Sequence, residues 1–333
     1  MSVELATTTP PHFSAVRAFV ALVSFSFRRQ WRVRQMGGAA LGLLALLATT
    51  VAVITYGPVG WSLPNRKARI ADRMTDGSVL MTHRQYSEER LIIYQGLPGP
   101  ADQFGMKAAL FAPFHAIVAD EKVQVDWSFL SFSRWVVFVM FLGFLLPLFV
   151  LAYASAGIGT EREARTLIWL LSRPLPRWAV YLAKFFGGLP WCLLASLGGL
   201  TVLGLAGGEL GWRAVQVYWP AAAGGAVAFA ALFHLIGAVF RRPAVVGLVY
   251  IFFFETLVAN LPGSLKQLSL NYYVRSLMYN EATSEVHSAV PSNLDVYAPA
   301  TPTTAWVTLA LATIGLTLLG MVLFGRQEPA EEV

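Results

Sequence analysis

The sequence predicts an all-α polytopic membrane protein, and three observations carry that prediction. Of 333 residues, 56% are hydrophobic and only 13% are charged, where a soluble domain carries about 25% charged residues. Six apolar stretches approach the roughly 20 residues that a helix needs to cross a bilayer, and backbone in hydrocarbon must satisfy its own hydrogen bonds, which favours helices. Lys and Arg are also divided unequally between the two sides that such spans define.

The elements follow in chain order. Residues 1–11 are polar and end in prolines, and read as a tail without structure. From Phe13 to Arg34, Val16, Phe19, Val20, Val23 and Phe27 share one side, and Arg28, Arg29, Arg32 and Arg34 crowd the end. That pattern suits an amphipathic helix lying in the membrane interface; a plain basic flank of the first span fits it equally. The N-terminus lacks an apolar core followed by a small-residue cleavage site, so no removable signal peptide is expected. The first span is placed at about 37–57. Residues 58–134 form a polar insertion with eight acidic and nine basic residues, punctuated by Asp76-Gly77 and Leu97-Pro98-Gly99-Pro100. Leu80 to Tyr94 fits a short strand or a helix, and the insertion is expected to fold as a small excursion leaning on the spans.

The second span is placed at about 135–157. The third covers about 179–205, with Pro190 as a kink, and a turn at 207–212 leads to the fourth, about 215–239. Arg241-Arg242-Pro243 is a tight basic turn. The fifth span, about 244–261, ends at Leu261-Pro262-Gly263, a polar loop covers 264–303, and the sixth is about 304–324. Arg326 and an acidic tail with Glu328, Glu331 and Glu332 follow. The whole is read as a single transmembrane domain, 1–333, with an extracytoplasmic insertion.

Six spans put both termini on one side. That side carries Arg17, Arg28, Arg29, Arg32, Arg34, Arg162, Arg165, Arg173, Arg177, Lys184, Arg241, Arg242 and Arg326, whereas the short loops opposite carry only Arg213, Lys266 and Arg275. Positive charge marks the cytoplasmic side. Both termini are therefore expected inside, and the 58–134 insertion outside. The net charge of +6 is membrane topology rather than nucleic-acid affinity.

Between the second and third spans, the stretch from Gly159 to Trp178 has the marks of a defined cytoplasmic helix. Thr160 and Glu163 are spaced as a capping box, and Glu161 precedes Arg165 by four, the favourable order for a helical ion pair. Ile168, Leu171 and Leu175 keep a spacing of three and four, and Pro174 disfavours helix at Arg173. The plainer reading is a flank whose charges only anchor it at the interface.

Catalytic and cofactor motifs are absent from the chain. It has no Gly-x-x-x-x-Gly-Lys-Ser/Thr phosphate loop, no His-Glu-x-x-His helix and no Gly-x-Ser-x-Gly elbow. The single cysteine, Cys192, lies within an apolar span, which excludes an intrachain disulfide or a cysteine metal cluster. Glu161 and Glu163 sit among arginines that hold them ionised, so they are no catalytic pair. No catalytic, cofactor-binding or metal-binding residue is assigned. His234 and Glu255 fall within spans, where ionisable groups are functional candidates by default. At about 1.5 Å rise per residue they lie about 10 Å apart in depth, too far for a direct pair, so separate partners are expected. A packing histidine and a helix-packing carboxylate are the plain alternatives.

Glu161-Arg162-Glu163-Ala164-Arg165-Thr166-Leu167 with Leu170-Leu171-Ser172-Arg173-Pro174-Leu175-Pro176-Arg177 resembles a run found in the permease subunits of bacterial type-2 ABC transporters. Glu255, Leu261-Pro262-Gly263, Leu268-Ser269 and the run from Tyr272 to Leu277 are similar to a second motif of that family, and the likeness covers most of 13–325. The resemblance implies a six-span permease of the cell (inner) membrane without enzymatic activity, paired with a second permease chain, identical or not, to enclose the pathway. ATP would bind a separate ATPase subunit. It implies that 160–173 is a coupling helix, with Thr160, Glu161, Arg162, Glu163, Arg165, Thr166, Leu170, Ser172, Arg173 and Arg177 at the docking site. The basic turn at Arg241–Pro243 would be a second contact. Two other classes stay open: a membrane-anchored sensor or assembly factor acting through 58–134, and an intramembrane enzyme using Glu255 or His234.

Overall fold

Long apolar runs wind into helices that cross the bilayer and pack by their smallest residues. The computed structural model describes residues 15–30, 35–57, 68–73, 79–84, 90–93, 123–126, 129, 132–163, 176–258, 264–286 and 299–326. Helix α1 spans Ala15–Gln30 and α2 spans Gln35–Tyr56. A π-wound segment, Ser133–Leu145, runs into α3, Leu146–Ala154, and then α4, Ala156–Glu163. Helix α5 is Arg177–Ala206, α6 is Gly208–Val239 and α7 is Pro243–Tyr250, which continues as a π-wound turn over Ile251–Leu257. A 3-10 turn, Ser264–Leu268, precedes α8, Leu270–Val286, and α9 spans Pro302–Arg326.

Five helical stretches among the described residues are long and apolar enough to cross a membrane: Gly38–Tyr56, Ser133–Gly159, Arg177–Ala206, Gly208–Val239 and Pro302–Arg326. The expected fifth crossing is the shorter apolar helix Pro243–Glu255. The membrane part is helical. Outside it, β1 (Ala68–Arg73) pairs antiparallel with β2 (Val79–Arg84), and β3 (Arg90–Ile93) with β4 (Val123–Asp126). The stretch Leu80 to Tyr94 thus holds strand at both ends, so the all-α description applies to the membrane part alone.

The Ser133–Gly159 and Gly208–Val239 spans form the centre, each 67% buried over its most apolar window, against 17% for Gly38–Tyr56 and for Pro302–Arg326. Small residues set that centre. Gly225 faces Val274, Gly237 faces the Ser155 carbonyl, and Gly247 faces Leu151, each too close for a side chain. Such contacts drive helix association where apolar burial offers no gain over lipid.

The turn expected at 207–212 is tighter in the structure. Helix α6 begins at Gly208, which has φ +63, a left-handed conformation that glycine adopts without strain. Only Gly207 separates α5 from α6. A Cβ on Gly211 would lie 2.1 Å from the Gly204 carbonyl oxygen, so the two helices touch backbone to backbone at that end.

Helix α1 does not use the apolar stripe in one piece. Leu22, Ser26 and Gln30 are buried, while Val16, Val20 and Phe27 are exposed. The buried side lies on α5, where a Cβ on Gly187 would meet the Ser26 Cβ at 2.7 Å. Trp191 of α5 donates from Nε1 to the Phe27 carbonyl at 2.9 Å, satisfying one of the last carbonyls of α1. The exposed Val16, Val20 and Phe27 form a face of the kind that interfacial helices turn to lipid.

Gly211→Val is expected to lower the melting temperature of the detergent-purified chain, at a cost of about 1–3 kcal/mol for forced separation of the hairpin. An unchanged melting curve would show that the α5–α6 contact is not tight.

Candidate functional site

Two buried polar junctions stand out among the described residues. The first is built on Glu255, which is 1% exposed. Ser269 caps α8: its Oγ accepts from the Tyr272 amide at 3.2 Å, the usual role of an N-cap serine. The hydroxyl of that serine donates to Glu255 Oε2 at 2.6 Å, and the Asn271 amide donates to the same oxygen at 2.9 Å. Glu255 Oε1 accepts from the Leu270 amide at 3.3 Å and from the Tyr250 hydroxyl at 2.5 Å. One carboxylate thus takes two of the orphan amides of α8 directly and holds the residue that takes a third. Negative charge at a helix N-terminus is favoured by the helix dipole.

Helix α8 falls within the stretch expected to be a polar loop, 264–303, yet it is buried in the bundle. Leu270, Asn271, Tyr272, Val274, Arg275, Ser276, Leu277, Met278 and Tyr279 are all buried. Its far end is tied to the start of α9: Asn280 Nδ2 donates to the Ala300 carbonyl at 2.9 Å, and the Ala300 amide donates to Ser276 Oγ at 3.2 Å. Arg275, counted above as a loop charge, is a core residue. Lys184 is another, 2% exposed within α5. Setting both aside leaves the arginine asymmetry between the two sides intact.

The second junction centres on His234 of α6, 2% exposed. Its Nδ1 lies 3.3 Å from the Ala154 carbonyl of α3 and its Nε2 lies 3.2 Å from the Tyr181 carbonyl of α5. A neutral imidazole carries one N–H, so the ring donates to one of these two carbonyls and packs against the other, at the meeting point of three spanning helices. Tyr181 packs against it at 4.6 Å between centroids and Phe185 at 5.7 Å. Gln30 of α1 reaches the same layer, donating from Nε2 to the Tyr153 carbonyl at 3.1 Å. His234 and Glu255 do not meet; each has its own partners.

The expected docking residues divide three ways. Thr160, Glu161, Arg162 and Glu163 lie in α4. Arg165, Thr166, Leu170, Ser172 and Arg173 fall outside the described residues. Arg177 opens α5 and donates from Nη1 to the Gly325 carbonyl at 3.4 Å. Thr160 does not start a helix as the capping box expects: the Gly159 amide bonds to the Ser155 carbonyl at 3.1 Å, and helix is already running at Ala156. With no break before Thr160, its amide needs no cap.

What surrounds α4 is informative. A Cβ on Gly157 would meet His234 Cε1 at 3.4 Å, and one on Gly159 would lie 2.9 Å from Pro243 Cγ. The root of α4 therefore touches both the His234 layer and the Arg241–Pro243 turn. Among the described residues, no group of three or more His, Cys, Asp or Glu is placed to hold a metal ion.

The family model for ABC-2 family transporter protein matches residues 25–328. The chain belongs to that family. It is a membrane-spanning, multi-pass component of an ABC-type transporter, a transport part of the kind that works with an ATPase partner. A search of curated proteins finds no match. For an ABC-2 chain, the residue that sequence reasoning missed is Ser269 as the partner of Glu255. The signal was present: a serine just before Leu270-Asn271-Tyr272 is a helix-start signature, but Asn271 and Arg275 made the run look too polar to be buried.

Glu255→Ala is expected to destabilise the purified protein by about 2–4 kcal/mol, since it strands the Leu270 and Asn271 amides without a partner. Glu255→Gln, which keeps one acceptor oxygen, should lose about half as much. Equal melting temperatures for both variants and the parent would remove Glu255 from this role.

Proposed function

We propose that the chain, with a second permease chain identical to it or not, encloses the translocation pathway of an ATP-driven transporter of the cell membrane. Six crossings are assigned, with Pro243–Glu255 and the turn after it serving as the fifth, and both termini lie in the cytoplasm. The observation that carries this reading is the family match across 25–328, in a chain without a phosphate loop of its own.

The coupling route follows from the packing. Helix α4 carries the second span on to Glu163, and Glu161, Arg162 and Glu163 would dock into a cleft on the ATPase. A push on it acts on Gly157 and Gly159, hence on His234 and Pro243. His234 lies wedged between α3 and α5, bonded to one of them and packed against the other, so the push would tilt the second, third and fourth spans together. Rigid-body movement of packed helices is an established switching mode. Arg241 and Arg242, beside the α4 root, would make the second ATPase contact. Glu255 would hold α8 to the fifth crossing while the inner ends move.

The double variant Glu161→Lys/Glu163→Lys is expected to insert normally and to lose most ATPase co-purification in mild detergent. Undiminished co-purification would sink the docking role. Topology has an independent check, because the native Cys192 is fully buried and leaves a quiet background for thiol labelling. In sealed cells, an impermeant maleimide should label Asp76→Cys at once and Ser172→Cys only after permeabilisation; the reverse order would invert the orientation.

A further inference from the structure

Where the third span begins and the last one ends, the surface carries a feature that neither junction uses. A cavity of about 770 Å³ is lined by Arg177, Trp178, Met321, Val322, Gly325 and Arg326. We propose that it is a binding site for an anionic phospholipid, the two guanidinium groups taking the phosphate and the apolar floor taking the start of the acyl chains.

Charge supports that occupant first. Two of the six lining residues are arginines and none is acidic. Guanidinium matches phosphate oxygens with paired donors, where a lysine offers only a point charge. Arg177 is already drawn across to α9 by its bond to the Gly325 carbonyl at 3.4 Å. Arg326 sits one residue beyond Gly325, so both cations belong to one rim.

Polarity supports it next. Below the rim the lining turns apolar, with Met321 and Val322. That floor runs on into the exposed outer face of α9, where Leu318, Leu319, Val322 and Leu323 are uncovered. Trp178, 52% exposed, stands at the boundary, where tryptophan is enriched at membrane–water interfaces. A free phosphate would use only the rim, whereas a diacyl phosphate uses the rim, the floor and the flank. Basic pockets between spanning helices are an established kind of lipid-headgroup site. The space is open: a Cβ on Gly325 would meet nothing within 4 Å. This site stands apart from the coupling role proposed for 160–173 and would survive its failure, although it gives Arg177 a different duty.

The test uses the full-length chain in mild detergent, with bound lipid counted by native mass spectrometry. Phosphatidylglycerol is expected to be retained on the order of tenfold more than phosphatidylcholine, and Arg326→Gln with Gly325→Phe should abolish that preference. Neither change breaks the Arg177 bond to the Gly325 carbonyl, and Gly325→Phe enters open space, so the protein should stay folded; its elution volume checks this. Equal retention of the two lipids overturns the proposal, as does a preference that survives both substitutions. Displacement of phosphatidylglycerol by millimolar inorganic phosphate would reduce the site to a simple anion site and overturn it. A chain truncated after Gln327 separates the remaining occupant: if phosphatidylglycerol binds only once Glu328, Glu331 and Glu332 are removed, the cavity belongs to the chain's own acidic tail and the proposal fails.

Discussion

A carboxylate in hydrocarbon tolerates no vacancy in its hydrogen bonding, and Glu255 meets that demand with four donors. The consequence reaches well beyond one side chain. Because two of those donors are backbone amides of α8, the start of that helix can be buried in the bundle instead of lying in water. The same group that would destabilise an isolated span therefore organises the region between the fifth crossing and the last. A buried charge is strongly unfavourable when unpartnered, so the arrangement is all-or-nothing: the start of α8 and Glu255 belong together or neither is stable where it is.

The surroundings of His234 follow a different rule. There the contacts are made by absence of side chain, at Gly157, Gly159 and Gly237, and His234 closes the gap by reaching two carbonyls on two other helices. Interfaces of this kind are stiff, because small residues leave no flexible side chain to absorb displacement. A force applied to α4 would therefore be passed on as a shift of whole helices. The two junctions are built differently, one from a ring among close-packed glycines and the other from a carboxylate at a helix start.

Much of this was legible from composition and patterning. Apolar runs located the long helices to within a few residues, except that α6 begins at Gly208, where the turn signals had suggested a later start. The resemblance carried by the 161–177 run and the family match agree. Three features escaped for identifiable reasons. The capping box at Thr160 presumed a helix start, but the helix runs through Gly157 and Gly159 without a break, so the second span simply continues. Helix α8 was hidden because hydropathy scores Asn271 and Arg275 as polar without seeing that Glu255 and Ser269 satisfy the amides at the start of the helix. In the 58–134 insertion, β1 pairs with β2 and β3 with β4 across register positions that alternation alone did not reveal. The placement of Lys184 in the core was equally invisible, since counting charges by loop cannot separate a flank from a buried second turn.

The single-residue link between α5 and α6 deserves a mechanical reading. With Gly204 and Gly211 in backbone contact, those two helices are joined like the blades of tweezers at their closed end. Widening at their far ends would have to part the His234 ring from the Tyr181 carbonyl that it lies 3.2 Å from. While that contact holds, the two blades swing together, the pinned end serving as fulcrum.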